Sequence, residues 1–238
     1  MAEWAAKRFW KAAEAVPVEG GFAVQLDGRP VKTPAKAPLL LPTEALAWAV
    51  AAEWEAQGER IDPLSMPFTR SANSALDRVA PQQAEVAEIV AAYGETDLIC
   101  YRAAEPRELA ALQAEAWNPL IDWARDVLDA PLIATEGLMH VPQPATSVEA
   151  LRARVVGQDA FALTALHDLT ALSGSLVIGL AVQAGQAAPE ALWDLSRVDE
   201  NWQIAQWGDD EEAAEVAARK RGDFLHAAEV YRLSRPVG

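Results

Sequence analysis

Two patterns of apolar positions divide the chain. Near the N-terminus Phe22, Val24 and Leu26 recur at every second position, the period of a half-buried strand. The turn pairs Gly20-Gly21 and Asp27-Gly28 bracket that run and Val31 lies beyond it, which predicts a small antiparallel sheet. Leu39 to Leu41 adds a further strand, and Glu3 to Val16 reads as a short helix ahead of the sheet. After Pro42 the period lengthens to that of a helix. Thr43 to Gln57 has an N-capping residue in Thr43, an acidic first turn in Glu44 and a stop at Gly58. Helical patterns then occupy 66–79, 82–93, 106–129, 147–157, 159–184, 189–207 and 209–234, punctuated by Gly94, Pro106, Gly185 and Gly208. The lapse is 130–144, where Pro131, Gly137, Pro142 and Pro144 predict a long loop with a hairpin around Thr135-Glu136-Gly137. The fold class that follows is α+β: a small N-terminal domain with an antiparallel sheet, residues 1–62, followed by a larger all-α helical bundle domain, residues 63–238.

The segment from Leu192 to Gly208 carries two apolar stripes where one would serve. On a continuous helix Ala191, Leu195, Val198, Trp202 and Ala205 gather on one side, while Trp193, Ile204 and Trp207 gather almost opposite. Glu200 sits in the middle of the second stripe, a carboxylate framed by indoles. The first stripe reads as ordinary core. The second has two readings, a binding face or a second packing partner inside the same domain.

Composition narrows the partners. With 20 basic and 35 acidic side chains the net charge is -15, which repels nucleic-acid phosphates and anionic membrane surfaces. The single cysteine, Cys100, excludes an internal disulfide and a cysteine-built zinc site, and reads as a small buried apolar residue in a reducing compartment. Residues 160–183 are the most apolar stretch. Thr164, His167, Asp168, Thr170 and Ser173 interrupt it, so it reads as a buried central helix and not as a membrane span.

Catalytic signals are weak. There is no Gly-rich phosphate loop and no dinucleotide fingerprint, so no nucleotide or other cofactor is expected. Gly174-Ser175 reads as a close helix contact and not as a nucleophile. His140, His167 and Asp168, with Asp194 or Asp223 downstream, mimic the ligand order of a helical metal-dependent phosphohydrolase. That alternative needs all of them on facing helices around one cavity, and His140 lies in the loop. The acidic run Asp209 to Glu212 reads as a helix start stabilised by the helix dipole, with no metal expected. The chain holds nine tryptophans, among them three pairs six residues apart: Trp4 and Trp10, Trp48 and Trp54, Trp117 and Trp123. Six residues turn a helix through about 240°, so if one member of a pair packs inward, the other meets another domain, another chain or solvent. That favours an interaction protein over an enzyme.

An ordered set of short motifs adds a family. Lys7-Arg8-Phe9-Trp10, then residues 27–34 reading Asp-Gly-Arg-Pro-Val-Lys-Thr-Pro, then Ala52-Glu53-Trp54, and finally Asp199-Glu200-Asn201-Trp202-Gln203 with Trp207-Gly208 span the chain. Together they resemble the assembly chaperones for the alpha subunit of the catalytic head of F-type ATP synthase. The resemblance implies a non-enzymatic chaperone that binds the unassembled alpha subunit, prevents its aggregation and yields it to the beta subunit, without nucleotide and without membrane insertion. It also implies an important acidic position, which falls on Glu200, and an important N-terminal tryptophan, which falls on Trp54. The expected partner surface is therefore Glu200, Trp193, Ile204, Trp207 and the adjacent Asp199, together with Trp54. The family is known from mitochondria and alphaproteobacteria. A start directly at the Lys-Arg-Phe-Trp segment points to the bacterial cytoplasm, or to the mitochondrial matrix for a eukaryotic mature chain.

Overall fold

The computed structural model describes residues 7–137, 139–208 and 210–236. The chain divides into two compact units, one of residues 1–83, 159–164 and 229–238, the other of residues 84–158 and 165–228.

The first unit is built on the sheet. Strand β1 (Ala13–Val18) pairs antiparallel with β2 (Gly21–Leu26), from Ala13 opposite Leu26 to Val18 opposite Gly21. The other edge of β2 takes two short strands, β3 (Arg29–Pro30) and β4 (Leu40–Leu41). Asp27 and Gly28 make the β2–β3 turn at φ 47° and 77°, the left-handed pair that a tight Asp-Gly hairpin requires. Helix α1 (Glu44–Glu55) packs on β1 and β2. Thr43 caps it, its hydroxyl oxygen accepting from the Leu46 amide at 3.2 Å. Leu46, Ala47, Val50 and Ala51 then bury against Val24, Leu26, Leu41 and Trp10.

The helix expected over Glu3 to Val16 is not found. Residues 3–6 lie outside the described ones, and 13–16 belong to β1. Six paired positions with β2 and inward Ala13 and Ala15 outweigh the helix preference of alanine. The first unit also runs beyond residue 62, because α2 (Pro67–Ser74) and the wider helical turn Ala75–Val79 place Phe68, Ala72 and Ala75 in this same core.

The second unit is helical. Its elements are α3 (Gln83–Ala91), α4 (Arg107–Leu128), α5 (Ala145–Val156), α6 (Ala160–Ser173), α7 (Leu176–Gln183), α8 (Pro189–Leu195), α9 (Val198–Trp207) and α10 (Glu211–Ser234). The first residue of α3, the first residues of α6 and the last of α10 belong to the first unit. Helix α4 packs against α5, α7 and α9, and Trp117, Leu151, Leu166, Leu176, Ile178 and Phe224 are fully buried. Trp117 and Trp123 are both buried, at 1% and 7% exposure, so this pair contradicts the expectation that one member must leave the fold. A helix with neighbours on several sides buries both faces. Among the described residues no helix is long and apolar enough to cross a membrane.

Three local expectations fail for tertiary reasons. The central helix 159–184 is two helices, parted at Gly174 (φ 75°) and restarted by Ser175, whose hydroxyl accepts from the Ile178 amide at 3.0 Å. Asp97, 80 residues upstream and fully buried, accepts from the Val177 amide at 3.0 Å and so caps the same helix start. Thr135–Glu136 forms no hairpin of its own; it pairs in parallel with Tyr101–Arg102. The helix 189–207 breaks at Ser196-Arg197, and this break reshapes the site.

Candidate functional site

Helix α8 ends by burying Leu192 and Trp193, at 1% and 4% exposure. The Trp193 ring lies 5.3 Å from that of Phe224 on α10, and the Arg197 guanidinium stands 4.8 Å above it. Arg197 also donates to the Ser196 hydroxyl at 3.1 Å and reaches the carbonyl of Ser173 at the end of α6 at 3.4 Å. A cation at a helix C-terminus and over an indole is favourably placed twice. These contacts fix the junction between α8 and α9.

No residue of α9 is buried, and 211–223 of α10 hold none either; Phe224 is the first. Ile204 is 43% exposed and Trp207 79%. Between α9 and the start of α10 runs an open groove of about 580 Å³, lined by Trp193, Arg197, Glu200, Ile204, Ala213, Val216 and Ala217. It continues toward Trp207 and Gly208 as a smaller hollow of about 330 Å³ that Glu200 and Ile204 also line. Glu200 accepts from Arg197 at 2.8 Å through one carboxylate oxygen, with its side chain 51% exposed.

The opposite side of α9 is open as well. Leu195, Val198, Trp202 and Ala205, expected as core, border a groove of about 870 Å³ whose other wall is Leu112, Ala116, Pro119 and Leu120 of α4. The helix is held at its base: the carboxylate of Asp199 accepts from Gln113 Nε2 at 2.6 Å, and Gln113 in turn accepts from the Ala103 amide at 2.7 Å. Trp117 Nε1 donates to the Leu195 carbonyl at 2.7 Å.

The expected site residues thus separate by role. Glu200, Ile204 and Trp207 come together on an open face. Trp193 does not join them as an exposed stripe member; the break at Ser196-Arg197 turns it inward, where it underlies the groove's end. Asp199 is tied to α4. Trp54 belongs to the first unit, where its ring meets Trp10 edge-on at 5.3 Å. Sequence periodicity missed Arg197, which orders both Trp193 and Glu200; its spacing three before Glu200 was the available signal.

The residues of the hydrolase alternative stay apart. His140 Nδ1 shares a hydrogen bond with the Tyr101 hydroxyl at 3.1 Å, while His167 bonds Asp168 at 3.0 Å, which holds its imidazole above the usual value. Among the described residues no three His, Cys, Asp or Glu side chains are grouped to hold a metal ion. Burial pushes the Cys100 thiol up to about 12, leaving it inert as a nucleophile. Of the acidic run at 209–212, Asp209 lies outside the described residues; the Asp210 carboxylate accepts from the Ala213 amide at 2.8 Å, at the start of α10.

Residues 7–125 match the family described as ATP12 chaperone protein. Atp12 from Paracoccus denitrificans has the same fold, with a TM-score of 0.95 and 51% identity over 98% of this chain and 100% of that one. The chain belongs to the ATP12 chaperone family. A mutant of the Paracoccus protein superimposes equally well at 50% identity, covering 98% of this chain and 100% of that one. A protein of Agrobacterium tumefaciens is similar at 41% identity and a TM-score of 0.92, covering 96% of this chain and 86% of that one. The mitochondrial protein atp12 of Schizosaccharomyces pombe is 24% identical over 223 residues, covering 88% of this chain and 76% of that protein. Membership makes the chain a chaperone of ATP synthase assembly, as its ordered motifs suggested.

Proposed function

We propose that this chain binds the unassembled alpha subunit of the ATP synthase catalytic head, keeps it from aggregating, and surrenders it to the beta subunit by competition. One observation carries the reading: α9 and the facing stretch of α10 hold no buried side chain, yet present Ile204 and Trp207 beside a half-exposed carboxylate. A folded protein seldom leaves an apolar helical hairpin open unless something covers it. An unassembled subunit has the complementary need, because the surface its neighbour will cover invites aggregation. Apolar contact supplies affinity, and Glu200 supplies discrimination: its second oxygen is free to accept from an Arg or Lys of the partner, and penalises partners that lack one. Trp193 and Asp199 position this face from below, and Trp54 acts within the first unit. Binding and release of this kind need neither nucleotide nor catalysis. The nearer likeness to bacterial than to mitochondrial relatives favours the bacterial cytoplasm.

The test is Glu200→Lys. Glu200 is 51% exposed, although Arg197 is only 19% exposed, so loss of this pair should cost no more than about 1 kcal/mol and the melting temperature should stay near that of the parent. Suppression of alpha-subunit aggregation should be lost, because a cation now meets the partner's basic group. Full protection by the stably folded variant would sink the reading.

A further inference from the structure

The groove between α9 and α10 is zoned by charge. Helix α10 runs back along α9 from the turn at Gly208 until Phe224 meets Trp193, so its residues mark position along the groove. Asp210 and Glu212 line the turn end. Lys220 and Arg221 line the far end, where Asp194 and Arg197 also face it. Among the described residues neither Lys220 nor Arg221 forms an ion pair, whereas Arg197 is taken by Glu200. Ile204, Val216 and Ala217 floor the stretch between.

In a chain of net charge -15 a purely basic partner segment would be attracted almost anywhere. At this groove it gains at the turn end and is repelled by Lys220 and Arg221 at the other. A purely acidic segment meets the reverse. Only a segment with opposite charges at its two ends satisfies both. From Asp210 and Glu212 to Lys220 and Arg221 is about ten residues of helix, roughly 15 Å, which three turns of a partner helix would span. Two helices with an alanine-lined floor between them suit the apolar face of a third.

We propose that the occupant of this groove is an amphipathic helical segment of the alpha subunit, basic at the end that meets Asp210 and Glu212, apolar along the middle, and acidic at the end that meets Lys220 and Arg221. This rests on the alpha-subunit reading above and adds to it the chemistry of the recognised segment.

Three labelled helical peptides with one shared apolar face test it by fluorescence anisotropy against the full chain: lysines at one end and glutamates at the other, lysines at both ends, or glutamates at both. The mixed peptide should bind at least about tenfold more tightly than either of the others. In the double variant Lys220→Glu, Arg221→Glu, whose altered side chains are exposed, the all-lysine peptide should become the tightest binder. The same variant should melt as the parent does and lose alpha-subunit protection. The proposal is overturned if the all-lysine peptide binds the parent best and ignores the reversal, or if no peptide binds below about 1 mM. It is equally overturned if the double variant protects the alpha subunit fully. Failure of the wider reading is seen separately, as full protection by Glu200→Lys whatever the peptides do.

Discussion

The motifs at the two ends of the chain are spent differently. In the first unit they are consumed by the fold. Arg8 donates to the carbonyls of Trp10, Lys11, Glu55 and Gln57 at 2.6–3.2 Å, Trp10 is buried, and Asp27 accepts from the Lys11 and Ala12 amides at 3.0–3.1 Å. Those amide bonds hold the Asp27 carboxyl below its usual range. Glu53 and Trp54 of the Ala-Glu-Trp motif are likewise bonded or stacked inside that unit. In the α9–α10 hairpin, Glu200, Gln203 and Trp207 remain at the surface. One family resemblance therefore mixes residues that make the scaffold with residues that leave it unfinished, and only the second kind points to a partner.

Replacing the two best-contrasted tryptophans breaks or sharpens this contrast most. Trp10→Ala should cost the first unit about 3–5 kcal/mol, the range for truncating a buried aromatic. Trp207→Ala, at 79% exposure, should cost less than about 0.5 kcal/mol and weaken partner binding instead. Urea titrations of both variants, with the aggregation assay alongside, decide it. Comparable stability losses would erase the distinction.

The second unit repeats the contrast between two carboxylates. Burial pushes Asp97 up to about 6, against the bonds it accepts from the Ser175 side chain and the Val177 and Ile99 amides. Glu200 stands in the open. A folded value above the unfolded one means that the native state holds the proton more tightly, so the contribution of Asp97 to stability falls as pH rises from about 4 through 6. A shift of about two units amounts to roughly 3 kcal/mol. Asp97→Asn removes this titration, so the stability difference between parent and variant should shift against the parent by about that amount between pH 4 and 7. Chemical denaturation at a series of pH values reads this, and parallel curves for the parent and Asp97→Asn would refute the buried assignment.

Local signals served where local chemistry decides. Thr43, Asp27-Gly28 and the long period of α4 sit where their residue types place them. The sequence misled where a distant group intervenes. Asp97 and Ser175 start α7 inside an unbroken apolar run, and β2 claims Ala13–Val18 from a helix-prone stretch. Arg197, held by Trp193 and the end of α6, parts a helix that periodicity reads through. That break is why Glu200, Ile204 and Trp207 share an open face while Trp193 does not. No spacing rule carries such information, since it depends on contacts tens of residues away.

Glu53 offers the smallest and most local test. Its Oε1 accepts from the Phe68 amide at 2.6 Å, and its Oε2 from the Thr69 amide and hydroxyl, each at 2.7 Å. It therefore caps the start of α2 from the neighbouring α1, a role that Met66, with no side-chain bond, leaves open. Burial raises its carboxyl above the usual value in spite of the three bonds. Glu53→Gln retains one acceptor oxygen and turns an amide group toward backbone donors, which should cost the first unit about 1–2 kcal/mol, the usual worth of a cap. If the motif containing Glu53 is scaffold, this variant protects the alpha subunit as the parent does wherever it is folded, and its deficit shows only in urea or on heating. Loss of protection at temperatures where circular dichroism still reports a native fold would mean that this motif also faces the partner, and the division between the two ends of the chain would fail.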